Sequence, residues 1–158
     1  MKIINQADIS FLSVSGNEAF ARAAVVAFLL NADPTVNDIS DVKTALSEAV
    51  TNSIIHAYKE VTGKVYVNMK LTDERVVIIK VKDKGAGIKD IEKAMEPLFT
   101  TGGEEQAGIG FSVMQSFSDS LKVKSTPGKG TTVVITKKLS SKDDIKNITV
   151  KKHDRAKE

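Results

Sequence analysis

Cysteine is absent from all 158 residues. That excludes disulfides and thiolate metal sites. Histidine occurs only at His56 and His153, too few for a histidine-rich metal cluster. No apolar run approaches the roughly 18–20 residues that a membrane-spanning helix needs. The first residues, Met1 to Gln6, lack the long apolar stretch of a secretory signal. A cytoplasmic location without a membrane partner is the expectation. A large excess of one charge is missing as well. The net charge is +3, and residues 140–158, with six basic against four acidic side chains, supply most of it. No segment of the remaining chain reads as the basic face of a nucleic-acid binder, so direct nucleic-acid contact is not expected.

What is present suffices for one domain with a real core. The apolar and charged fractions, 41% and 27%, are ordinary for a soluble globular chain. Residues 3–14 read as a strand. Ser15 and Glu18 have the spacing of a capping box, which predicts a helix to about Leu30 that buries Phe20, Ala24, Ala27 and Phe28. Pro34 ends that stretch. A longer helix is predicted over 36–59, with Ile39, Val42, Leu46, Ala49 and Val50 at helical spacing. Two strands follow, at 65–71 and 76–81, then a glycine loop from Asp83 to Gly87. A short helix is predicted near 90–95 and another from Ile109 to Phe117. Strands at 120–126 and 131–139 flank Pro127-Gly128-Lys129-Gly130. The predicted domain spans 1–139, and 140–158 reads as a polar, disordered tail. Helices early and hairpin-like strand pairs late predict an α+β sandwich, with helices on one face of a mixed, mainly antiparallel sheet.

Four short elements carry chemistry. Glu48, Asn52 and His56 fall at i, i+4 and i+8, one column on a helix face. Singly, each reads as a solvated or packed side chain. Together, a carboxylate beside an amide oxygen suits a general base next to a Mg²⁺ site, because Mg²⁺ takes oxygen ligands and keeps several waters. Asp83, Gly85 and Gly87 end a buried strand. A carboxylate there can accept a hydrogen bond from an adenine amino group, and glycines let the backbone approach the base. Gly108-Ile109-Gly110 is expected to open a helix, where free N–H groups and the helix dipole hold phosphate. Thr131 follows the last hairpin turn and, like Thr132 beside it, could reach adenine through its hydroxyl.

Their order is informative. Asn52 precedes Asp83 by 31 residues, then come a lid-like loop, Gly-x-Gly and a late Gly-Lys-Gly-Thr. This order resembles the N, G1, G2 and G3 boxes of the GHKL superfamily, which shares the Bergerat ATP-binding fold. The stretches Asn17 to Arg22, Ser47 to Tyr58, Glu96 to Thr101 and Gly108 to Phe111 resemble the anti-sigma F factors of sporulation, and the resemblance covers roughly residues 3–139. It implies a homodimer that uses ATP and Mg²⁺, releases ADP, binds a sigma factor and phosphorylates a serine of an anti-anti-sigma (STAS-type) partner. It makes Glu48 the general base and Asn52 the Mg²⁺ ligand. It places His56, Asp83, Gly85, Gly87, Thr100, Thr101, Gly108, Ile109, Gly110 and Thr131 around the nucleotide, and Arg22 on a partner-docking surface.

One departure stands out. The segment Thr100 to Ala107 contains two glutamates and no Lys or Arg, where these kinases usually carry basic residues. It implies a slow or partner-assisted kinase. A sequestering module that only holds ATP is the main alternative, and a stress-response anti-sigma kinase the nearest relative. The ATPase domain of a histidine kinase fits less well, because the chain leaves no room for its histidine-bearing helix pair.

Overall fold

The computed structural model describes residues 1–96 and 104–141, together with 143, 144, 146 and 149; for 104–108 it describes the backbone alone. Five strands, β1 (Ile3–Leu12), β2 (Lys64–Thr72), β3 (Val76–Asp83), β4 (Ser120–Thr126) and β5 (Gly130–Lys138), form one sheet in the order β1-β2-β3-β5-β4. All four pairings are antiparallel, so the mixed sheet expected from sequence is replaced by a purely antiparallel one. Helices α1 (Asn17–Leu29), α2 (Val36–Thr51), α3 (Ile91–Ala94) and α4 (Glu104–Ser116) complete the fold. Alternation along the strands turns Val65, Val67, Met69, Val77, Ile79, Val81, Val133 and Ile135 into the core, where they meet Val25, Leu46, Val50, Phe111 and Met114 from the helices.

Several local expectations are corrected. The predicted box at Ser15 and Glu18 does not form. Gly16 is the N-cap without a side-chain bond, and Glu18 pairs instead with Arg22 at 3.5 Å. The buried stripe of α1 is Ala21, Val25, Phe28 and Leu29, so the predicted stripe is one residue out of phase. Phe20 stays 51% exposed and meets Phe11 edge to face. The capping box belongs to α2, where Thr35 and Asp38 cap one another. The last turns of the predicted 36–59 helix, Asn52–Ala57, are a π-helix. Finally, α4 starts at Glu104, five residues before the predicted start. Glu104, Glu105, Gln106 and Ala107 are residue types with good helix propensity, enough to carry the helix across two glycines.

The sheet also gathers a basic face that no single segment of the chain carries. Its surface away from the helices gathers Lys70, Lys80, Lys82 and Lys84 around a shallow groove that also holds Asp8 and Tyr66. Lys122 and Lys124 extend the same surface from β4, across Val134 and Thr132 of β5. These lysines are scattered in the chain, and only the pleat and the strand order bring them together.

The end of β5 is anchored by Asp38, which is 2% exposed. Its carboxylate accepts from Thr35 N at 3.1 Å, Ser140 N at 3.1 Å and Ser140 Oγ at 3.2 Å. Arg75 reinforces the junction by donating to the carbonyls of Ala32 and Ser140. Beyond it, Ser141 and Asp144 exchange two hydrogen bonds. Replacing Asp38 by Ala removes the reciprocal half of the α2 capping box, leaves the Thr35 cap in place and strands three donors. The expected destabilisation is about 2–4 kcal/mol, read as a lower urea midpoint at unchanged slope.

Candidate active site

The site is built where α2, the π segment, the loop after β3 and the β4–β5 hairpin converge. A cavity of about 60 Å³ there is lined by Asn52, Ser53, His56, Asp83, Gly87 and Thr131, with Ala49, Ala57, Ile88, Phe111 and Val133 closing its apolar sides. A π-helix is often a single turn at a functional site. Here it ends with the Ala57 carbonyl accepting Ala86 N–H at 2.9 Å, which fixes the glycine loop against the helix.

Asp83, 4% exposed, is the hub. Its Oδ1 accepts from Gly85 N at 3.0 Å and Thr131 N at 3.2 Å, and its Oδ2 from Ser53 Oγ at 3.0 Å. Gly87 adopts φ +72, and a side chain there would collide with the Thr126 carbonyl, so only glycine fits without strain. Ser125 Oγ accepts Ile88 N–H at 2.7 Å, donates to the Gly130 carbonyl at 3.0 Å and meets Thr131 Oγ1 at 2.8 Å. Loop and hairpin are thus tied through one hydroxyl.

At the other end Glu48 and Asn52 converge on α4. A methyl group at Gly110 would lie 3.1 Å from Glu48 Oε2 and 3.4 Å from both terminal atoms of Asn52. Glycine therefore lets α4 approach α2 at this point. The expected phosphate nest at the start of α4 is corrected: Gly108 and Gly110 lie within the helix, where backbone N–H groups are committed to the helix itself. Ile109 is exposed and does not line the cavity. Arg22, paired with Glu18 on α1, does not line it either. Thr100 and Thr101 lie outside the described residues.

The donor set fits Mg²⁺ and a polyphosphate. Asn52 Nδ2 is buried without a hydrogen-bond partner, so its N–H groups are open to an acceptor such as a phosphate oxygen, while its Oδ1 is the atom of the type Mg²⁺ takes. Among the described residues no group of three His, Cys, Asp or Glu could cage a metal by itself. One amide oxygen suits Mg²⁺, which takes its other ligands from phosphate and water.

His56 also lines the cavity, and its pKa lies below the ordinary 6.5, first because burial disfavours the imidazolium and then because Lys59 repels it. The fold therefore favours neutral His56. That contribution is complete above pH 6.5 and is lost as pH falls from there through the lowered folded value. His56→Gln should flatten this part of the stability profile, as checked by urea midpoints between about pH 7.5 and 5.5.

Ser53, Ser125, Ile88, Phe111 and Val133 are site residues that the sequence reading missed. No signal in the sequence marks them, and Ser53 beside Asn52 reads as an ordinary polar helix residue.

Comparison with known proteins identifies the family and the fold. Residues 15–137 match the histidine kinase-like ATPase domain family, which makes the chain a GHKL-type protein. The fold recurs in the RsbU and RsbW domains of Rv1364c from Mycobacterium tuberculosis, with a TM-score of 0.65 at 21% identity over 87% of this chain and 33% of that one. The anti-sigma F factor of Caldanaerobacter subterraneus subsp. tengcongensis is 54% identical over 138 residues, 87% of this chain and 96% of that protein. That of Bacillus subtilis is 46% identical, over 86% of this chain and 94% of its own length. The chain belongs to the anti-sigma F factor family.

Proposed function

We propose that the chain binds ATP in this cavity, sequesters a sigma factor as a homodimer, and transfers the γ-phosphoryl group to a serine of an anti-anti-sigma partner, leaving ADP. The observation that carries this reading is the convergence of Glu48 and Asn52 on Gly110, beside a cavity whose far end is the acceptor Asp83. Family membership supplies the sigma factor, since the relatives are named for opposing one.

Each residue then has a task. Asp83 accepts from the adenine amine, and Ile88, Phe111 and Val133 enclose the ring. Glu48 takes the serine proton as the hydroxyl oxygen attacks phosphorus and the bond to the ADP oxygen breaks. Asn52 holds Mg²⁺, which when bound neutralises charge developing on the phosphates. Arg22 offers a charged contact for a protein partner on α1. No step calls on nucleic acid or a membrane, and among the described residues no helix is long and apolar enough to cross one.

The test is transfer of labelled γ-phosphate from Mg-ATP to the cognate anti-anti-sigma protein. Labelled serine on that partner supports the kinase. ADP binding without label leaves the sequestering module, the reading favoured by the two glutamates and missing basic residues between Thr100 and Ala107.

A further inference from the structure

The face of the sheet turned away from the helices takes no part in the cavity. Pleating sends Lys80 and Lys82 of β3 and Lys122 and Lys124 of β4 to that face. Lys80 and Lys122 both lie opposite Val134 of β5, and Lys82 and Lys124 both lie opposite Thr132. Strand and residue spacings set these four backbone positions at the corners of a rectangle of about 7 by 10 Å. Lys84 follows β3, its Nζ 5.5 Å from the centre of the Tyr66 ring, and Lys70 adds a sixth cation from β2. All but the half-buried Lys70 are exposed. Among the described residues none of the six takes part in a salt bridge. The one carboxylate lining the groove, Asp8, is held by Asn68 Nδ2 at 2.7 Å. Six lysines against one aspartate exceed the chain's net charge of +3, so the remainder of the molecule is net negative.

We propose that this face is a docking surface for the phosphate backbone of duplex DNA, gripped without regard to sequence. Charge points to a polyanion, because lysines brought this close repel one another and an anionic partner relieves the repulsion. Composition argues against an acidic protein. Protein interfaces are depleted in lysine and close over an apolar centre, whereas the centre here is four lysines around Val134 and Thr132. Protein–DNA interfaces are much more positively charged. Lysine offers point charges that suit phosphates, without the planar fork of arginine, and phosphate contacts carry no sequence information. Single strands are held on aromatic stacking platforms, but the one aromatic ring lining the groove, Tyr66, already carries Lys84. A shallow groove also suits a rod better than a flat bilayer. The proposal is independent of the nucleotide reading, since Asp83 and Val133 of the cavity point to the opposite side of the sheet from Lys82 and Thr132.

The experiment is fluorescence anisotropy of a labelled duplex of about 20 base pairs, titrated with the full chain between about 50 and 200 mM salt. Four to six phosphate contacts predict a log–log salt slope of about −4 to −5, a loss of roughly 10²–10³-fold over that range. Lys82→Gln combined with Lys124→Gln should reduce the slope by about 2, whereas Lys43→Gln, on the exposed side of α2, should leave it unchanged. Duplexes of unrelated sequence should bind alike. No binding at the lower salt, tighter binding of a single strand or of duplex RNA, or an unaltered slope in the double variant would overturn the proposal. So would preferential competition by poly-glutamate or by phosphatidylglycerol vesicles, which would assign the face to an acidic protein or to a membrane. An unchanged ADP titration and melting curve of the double variant would show that the loss belongs to this face and not to the fold.

Discussion

Glu48→Gln should bind ADP as the unsubstituted chain does and lose phosphoryl transfer to the anti-anti-sigma partner by about 10²–10⁴-fold, the usual contribution of a general base. The substitution keeps the size of the side chain, which matters because Glu48 Oε2 lies only 3.1 Å from where a methyl group at Gly110 would be. An amide fits the same gap, so α4 keeps its distance from α2. Glu48 does not line the base cavity, so adenine recognition is untouched. What the amide cannot do is accept the serine proton. Labelled γ-phosphate on the partner, read beside an ADP titration, checks both halves. Transfer at the original rate would remove Glu48 from the chemistry. A joint loss of transfer and ADP affinity would make it a structural residue.

That the chain carries this column was legible because the column is local. Glu48 and Asn52 are one helical turn apart, and turn spacing is the strongest signal a sequence holds. Strand positions were legible for the same reason: β2 alternates cleanly, and the buried run of β3 is apolar almost throughout. The pairing of β2 with β3 and of β4 with β5 followed from their short connections, whereas the pairing of β1 with β2 and of β3 with β5, between strands far apart in the chain, did not.

Less legible was whatever depends on two distant segments meeting. The π segment has no composition of its own. It is held where Ala57 receives the glycine loop, a contact between residues 29 apart. Ser53 looks unremarkable until β3 brings Asp83 to it. Thr131 was singled out for its hydroxyl, yet its backbone N–H reaches Asp83 while the hydroxyl is tied to Ser125. The phase of α1 was misjudged because alanines at 19, 21, 23, 24 and 27 blur any stripe. The lysines of the open sheet face were invisible to a search for a basic segment, since no single strand contributes more than two of Lys70, Lys80, Lys82, Lys122 and Lys124.

Asp83→Asn should invert base preference, weakening ADP by about 100-fold and favouring IDP, whose 6-oxo group accepts. The reason lies in the surrounding donors. Gly85 N and Thr131 N both need an acceptor, and they are backbone groups that cannot turn away. The asparagine carbonyl oxygen must therefore take the place of Oδ1, and its amino group must take that of Oδ2. Ser53 can answer by rotating its hydroxyl to accept, so the fold loses little. The one position left for the base changes from acceptor to donor and meets the adenine amine donor to donor. Losing that hydrogen bond and leaving two donors facing each other costs about 2–3 kcal/mol, or roughly two orders of magnitude in affinity. Competition between ADP and IDP on the variant, with a melting curve to establish an intact fold, reads the inversion directly. Retained ADP preference would mean that Asp83 is only a structural hub, and base recognition would then have to lie elsewhere on the cavity wall.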